Sequence, residues 1–277
     1  MQKETTQRRP GRESAMNPSP DFVQEKAVMK LANKVAVITG GDSGIGRAVA
    51  ILFAQHGADV CVSYLNEHKD AAETKEWVEK YGRKCVLIAG DISKETHCKK
   101  IIATTIRQFG KIDILVNNAA IHYPEKSLTD ITTANLKHTF EVNIFSIFYL
   151  TKAALPAMKK GSCIINTASV VAYRGSAHLI DYAATKGAIV GFTRSLASNL
   201  ASKGIRVNGV APGPIWTPLV PASFKNKGIK KHGEDAPLGR TGQPVEVAPS
   251  YLFLASEDSS YITGQFLHPN GGEIING

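Results

Sequence analysis

The chain has 277 residues, 43% of them apolar, and 33 Lys and Arg against 24 Asp and Glu give it a net charge of +9. That apolar content can bury a large core, which excludes a globally disordered, collagen-like or disulfide-scaffold chain. The length suits one α/β domain plus a tail.

Residues 1–30 contain Pro10, Pro18 and Pro20 and show no sustained periodicity, so they are expected to form an extended or disordered arm. The arm lacks the apolar stretch of a signal peptide, and nowhere is there a run of ~18 apolar residues that would span a bilayer. A cytoplasmic protein with no membrane partner is the expectation. Residues 31–277 then read as one domain. Strand signals fall at Val35–Thr39, Asp59–Tyr64, Lys84–Ala89, Asp113–Asn117, Ser162–Thr167, Ile205–Val210 and Gln265–His268. Between them lie helical stretches at about 45–57, 67–81, 93–109, 131–159, 181–203 and 244–256; the first puts Ile45, Val49, Leu52 and Phe53 on one face and stops at Gly57. Seven strands separated by helices predict a doubly wound parallel sheet with helices on both faces, a Rossmann fold, because parallel neighbours need crossover connections. The irregular piece from about Pro212 to Gln243 is too long for a plain connection, and a substrate lid is expected over about 213–243.

The basic excess gathers in the arm (Lys3, Arg8, Arg9, Arg12) and in Lys225, Lys227, Lys230 and Lys231. Neither stretch interleaves aromatics or shows a helix-turn-helix pattern, so a solvated basic surface is expected and no nucleic-acid partner. Cys61, Cys85, Cys98 and Cys163 form no CxxC pair, and the eight histidines form no HExxH. No protein metal site is expected, and a reducing compartment is.

After the first strand comes Thr39-Gly40-Gly41-Asp42-Ser43-Gly44-Ile45-Gly46, leading into a helix. Glycines there permit a tight turn and bring backbone N–H groups at a helix N-terminus up to a pyrophosphate, where the helix dipole favours negative charge. Further along stand Asp91-Ile92, Asn117-Asn118-Ala119-Ala120, Asn143, Ser169, Tyr182-Ala183-Ala184-Thr185-Lys186 and Pro212-Gly213. This ordered series resembles the short-chain dehydrogenase/reductase family over about residues 31–277. The loop TGGDSGIGRA, the segments INTAS, YAATKGAI and APGPIWTPL and the closing ITGQ and NGGEIING resemble the bacterial glucose/ribitol dehydrogenase-like branch of the general stress type, which also carries a Pro-rich arm. The resemblance implies an NAD or NADP cofactor, a homotetramer and a small-molecule carbonyl or alcohol substrate, with a sugar or polyol first and a small aldehyde or ketone as the alternative.

It also assigns contacts residue by residue. Gly40, Asp42, Ser43, Gly44, Ile45 and Gly46 form the cofactor loop. Asp91 and Ile92 resemble the adenine-side pair; Asn118, Ala119 and Ala120 resemble the segment on the adenosine ribose side, with Ala120 replacing the usual glycine. Pro212, Gly213, Ile215 and Thr217 resemble the nicotinamide-side loop. An acid ending the second strand would select NAD and a nearby Arg NADP, but the acid position aligns with Tyr64 and the usual basic position with Ser43. The choice between the two cofactors therefore stays open. Arg47 reads equally as a phosphate ligand or as a structural arginine.

Tyr182 and Lys186, four apart on a predicted helix, share one face. A cation within ~4–6 Å favours a phenolate, so the spacing fits a proton exchanger; taken alone, it also describes an ordinary helix-surface pair. In the resembling family Tyr182 is the general acid/base, and Lys186 lowers its pKa and bonds the nicotinamide ribose. Ser169, at the carboxyl end of a strand, is placed to hold the substrate oxygen, and no GxSxG elbow marks it as a nucleophile. Asn143 resembles the family's water-anchoring Asn in a proton relay, although a buried Asn is commonly a satisfied structural group. His122, Tyr173, His178 and Trp216 stand equally between pocket wall and packing. The expected function is NAD(P)-dependent interconversion of an alcohol and a carbonyl; the alternative is a cofactor-binding scaffold or sensor with little turnover. The enoyl reductase branch is disfavoured, since it spaces its Tyr and Lys further apart.

Overall fold

The computed structural model describes residues 29–223 and 232–275. Most of the expected arm and residues 224–231 of the expected lid lie outside the described residues. All seven expected strands form, each within one residue of its expected bounds: β1 (Val35–Thr39), β2 (Asp59–Tyr64), β3 (Cys85–Ala89), β4 (Ile114–Asn117), β5 (Cys163–Thr167), β6 (Arg206–Val210) and β7 (Phe266–Leu267). They make one parallel sheet in the order β3-β2-β1-β4-β5-β6-β7.

Alternation along β1 explains the two covered faces. Ala36 and Ile38 pair in register with Ile114 and Val116, and these four join one cluster with Val49 and Phe53 of α1 (Gly44–Gln55), Ala71 and Val78 of α2 (His68–Lys80) and Val247 and Tyr251 near the C-terminus. Val37 pairs with Leu115, and both point to the opposite cluster, with Ile101 of α3 (Glu95–Phe109) and Leu150. Successive strand residues face opposite sides, so a strand apolar at every position must be covered twice. All four cysteines are buried and free, and burial pushes the Cys61 thiol up to about 11 and Cys85 to about 12.

The expected continuous helix over 131–159 is corrected. It is broken into α4 (Thr133–Phe140), a π turn at Glu141–Phe145, α5 (Ser146–Ala154) and a 3₁₀ turn at Leu155–Ala157. Pro156, with no N–H, ends the regular ladder; the π turn surrounds Asn143, whose side chain bonds a loop outside the helix. The short α6 (Val171–Arg174) follows β5, then come α7 (Ile180–Leu200), α8 (Leu219–Ser223) and α9 (Pro244–Ala255). Because every strand is parallel, the loops after β1 to β6 gather along one edge of the sheet.

Candidate active site

Along that edge opens a cavity of about 1140 Å³. Every cofactor or catalytic candidate assigned above borders it except Gly46 and Asn143. Gly40 turns the chain with φ +60°, and Ser43 starts α1 without a side-chain cap bond. The first turn of α1 has no acidic side chain, and the carboxylate next to it in the chain is Asp42, just before the N-cap. Gly46 acts from behind the wall: a Cβ there would lie 1.9 Å from the Gly40 carbonyl oxygen.

Neighbouring loops clamp this turn. The Thr39 hydroxyl accepts the backbone N–H of Asn118 (2.9 Å) and Ala119 (3.1 Å), while Asn118 Nδ2 donates to the Thr39 carbonyl at 3.1 Å. Arg47 resolves to its structural reading. Its Nε donates to the Asp42 carbonyl (2.9 Å) and Thr74 Oγ1 (3.0 Å), its terminal nitrogens bond Glu73 Oε2 (2.8 Å) and the Asp70 carbonyl (2.9 Å), and it does not border the cavity. The Tyr64 hydroxyl bonds His68 Nδ1 at 3.0 Å. Burial works against the charge of Asp91, but two hydrogen bonds from Ser93 outweigh it and hold that carboxyl below its ordinary pKa.

On α7, Asp181 accepts the Tyr182 N–H at 2.8 Å and the Thr139 hydroxyl at 2.9 Å, which fixes the start of α7 against α4. Burial pushes the Tyr182 hydroxyl up to about 12, partly countered by its hydrogen bond with Ser169. Lys186 is 2% exposed; its Nζ donates to the Thr167 carbonyl at 2.7 Å and lies 5.3 Å from the centre of the Tyr182 ring. Burial lowers its pKa to about 7. Burial is the largest influence on both groups. Asn143 Oδ1 accepts the Ile121 N–H and its Nδ2 donates to the Ile121 carbonyl, both at 2.9 Å, and to Thr185 Oγ1 at 3.2 Å. It holds the loop after β4 against α7.

Residues 40–273 match the family model described as enoyl-(acyl carrier protein) reductase. Among relatives, General stress protein 39 of Bacillus subtilis is 54% identical over 98% of this chain and 96% of its own length. NADPH-dependent aldehyde reductase 1, chloroplastic, of Arabidopsis thaliana is 51% identical over 99% of each chain, and glucose and ribitol dehydrogenase of Daucus carota is 50% identical over 97% and 95%. A short-chain dehydrogenase from Burkholderia cenocepacia, solved in complex with NADP, superposes with a TM-score of 0.83 at 31% identity over 88% of this chain and 98% of that one. The chain belongs to the short-chain dehydrogenase/reductase family. It is thus an oxidoreductase of the glucose/ribitol dehydrogenase-like kind.

In this dehydrogenase/reductase the four undecided residues separate. His122 borders the cavity, its ring 5.1 Å from that of Tyr182 at an interplanar angle of 70°, and burial lowers its pKa to about 4. Tyr173, His178 and Trp216 do not border it; Tyr173 packs edge-on against His268 at 4.9 Å. Sequence reasoning missed Arg174, which borders the cavity and pairs with Glu273 at 2.8 Å, and also the cavity-lining His232 and Asp235. No local signal marks them, since α6 and the C-terminal segment meet only in the folded chain. Among the described residues no group of three or more His, Cys, Asp or Glu could hold a metal ion, and no helix is long and apolar enough to cross a membrane.

Proposed function

We propose that this dehydrogenase/reductase binds NAD or NADP in the cavity and interconverts an alcohol and a carbonyl, with Tyr182 handling the proton. The observation that carries the reading is the meeting, in one cavity, of the glycine loop at the start of α1 with Ser169, Tyr182 and Lys186. The residues present fit the dinucleotide. The N-terminus of α1, with no side-chain cap bond from Ser43, suits a pyrophosphate, and the Ser63 hydroxyl on the wall is buried with no partner among the described residues. Ser43, Gly44 and Ile45 would hold the phosphate side, Asp42, Asp91, Ile92, Asn118, Ala119 and Ala120 the adenosine, and Pro212, Gly213, Ile215 and Thr217 the nicotinamide. A bound nicotinamide supplies or accepts hydride.

At neutral pH the buried Tyr182 hydroxyl keeps its proton, so it stands ready to give it to a carbonyl oxygen. In the alcohol-oxidising direction Tyr182 must take a proton, and the Ser169 hydroxyl and the Lys186 amine are the groups beside it that stabilise negative charge. Ser169 also orients the substrate oxygen. Lys186, anchored on Thr167, has further N–H donors for ribose hydroxyls. Asn143 acts as a positioning residue through Ile121 and Thr185, whose hydroxyl donates to the Tyr182 carbonyl at 2.7 Å. The remaining wall is mainly apolar (Val171, Leu179, Leu219, Val220), with His122, Arg174, His232 and Asp235 set into it as partners for hydroxyls; a sugar or polyol is the first choice of substrate and a small aldehyde the second. A homotetramer belongs to the same reading.

The test is turnover of NADH and NADPH against a panel of aldoses, polyols and small aldehydes, for wild type and Tyr182→Phe. The variant is expected to lose about 10²–10⁴-fold in kcat with unchanged circular dichroism. Full activity in the variant would remove Tyr182 from the chemistry. Tight cofactor binding without turnover of any substrate would favour the scaffold or sensor instead.

A further inference from the structure

Where the loops after β1 and β2 form the end of the cavity, every charged side chain on the wall is a carboxylate: Asp42, Glu67 and Asp70. The described Lys and Arg residues that border the cavity belong to other elements: Lys186 lies against Tyr182 on α7, and Arg174 of α6 pairs with Glu273. Asp42 is 6% exposed, and its pKa is raised chiefly by burial, against hydrogen bonds from Ser43 and the backbone, with a smaller push from the nearby Glu67 and Asp70 carboxylates. Arg47 is the nearby guanidinium that would offset them. It sits behind the wall, committed to the Asp42 and Asp70 carbonyls, Thr74 and Glu73, and of the three offsets only Asp70, whose carboxylate lies 3.9 Å from its Nη2. The Tyr64 hydroxyl, at the strand end where an acid would select NAD, is bonded to His68. Buried between these groups and bordering the same end is Ser63, whose hydroxyl has no partner among the described residues.

We propose that Asp42, Glu67 and Asp70 make this end of the cavity selective for NAD, with its free ribose 2′-hydroxyl, over NADP, with a 2′-phosphate. The inference rests on the cofactor reading above and narrows it. A hydroxyl can donate to a carboxylate, whereas a phosphate near a double negative charge would meet the buried Asp42 and the exposed Glu67, with Asp70 partly answered by Arg47 and no Lys or Arg on the wall among the residues of these two loops. The selector is thus shifted from the end of β2 to the glycine loop and the start of α2. The NADPH in the name of the Arabidopsis relative is the opposite expectation, so a measurement separates the two.

The measurement is calorimetric titration of the full chain with NADH and with NADPH at low salt, repeated at high salt and with Glu67→Gln and Asp42→Asn. Wild type is expected to bind NADH at least about tenfold more tightly, a gap that narrows at high salt because the repulsion is screened. Each variant is expected to narrow it chiefly by tightening NADPH. Glu67 is exposed, so its variant keeps the test valid if Asp42→Asn fails to fold. NADPH binding as tight as NADH in wild type, or a ratio unmoved by Glu67→Gln and by salt, overturns the selection while leaving the cofactor reading in place. A folded protein that binds neither dinucleotide overturns the cofactor reading itself.

Discussion

Lys186 buries an amine on α7 with the Thr167 carbonyl as its hydrogen-bond acceptor, and burial lowers its pKa from an ordinary 10.5 to about 7. Between those values the unfolded chain holds a proton that the folded chain has released, so stability from this group rises with pH over that window, by at most about 1.4 kcal/mol per pH unit. Below pH 7 both states are charged, and the cost of burying the charge is fully felt. The melting temperature of wild type relative to Lys186→Met should therefore climb between pH 6.5 and 9; a flat difference would mean that the amine keeps its ordinary pKa. Tyr182 makes the complementary point. Its spacing from Lys186 is legible in the sequence, but its acidity depends on how much water the folded site removes, which spacing does not encode. His122 shows the same limit: its neighbours in the chain say nothing of the Tyr182 ring against which it packs.

At the scale of elements, the turn from β1 into α1 is the most constrained piece. Alanine at Gly46 would gain about 1 kcal/mol of helix propensity, yet its Cβ would sit 1.9 Å from a backbone oxygen that no rotamer change can move. Overpacking of that kind costs roughly 1–3 kcal/mol, so Gly46→Ala is expected to lower the melting temperature and, by displacing Gly40, to abolish dinucleotide binding in a fluorescence titration. Wild-type affinity in this variant would show that the turn tolerates a shift of its backbone. The same turn was readable beforehand, since a strand, a glycine run and a helix start are local features. The break in the helix around Asn143 was not. Its apolar periodicity continues through 141–145, and the break involves hydrogen bonds to Ile121, some twenty residues earlier.

For the whole molecule, the parallel sheet leaves one feature unexplained within a single chain. Leu136, Phe145, Phe148 and Ile180 are exposed on α4, the π turn, α5 and α7, and Phe148, 45% exposed, packs at a tilt against Phe192 with ring centres 4.5 Å apart. Apolar side chains grouped on neighbouring helices mark an association surface. Light scattering is expected to give about four times the chain mass of 29.8 kDa, and Phe148→Glu to shift it to smaller species by burying a charge at the contact. A monomeric wild type would retire the tetramer.

Strand number, the helices between strands, the glycine turn and the placement of Ser169, Tyr182 and Lys186 at strand and helix ends were determined by the sequence alone. Each rests on residue spacing within one element, where backbone periodicity dictates which side chains share a face. The tertiary structure decided which distant segments meet: Arg174 with Glu273, His122 with Tyr182, Asn143 with Ile121, and the carboxylates of two loops gathered around one recess. It also decided what burial does to their charges. Desolvation and Coulomb repulsion depend on distances through space, and those exist only once the crossovers have brought the loops to one edge of the sheet.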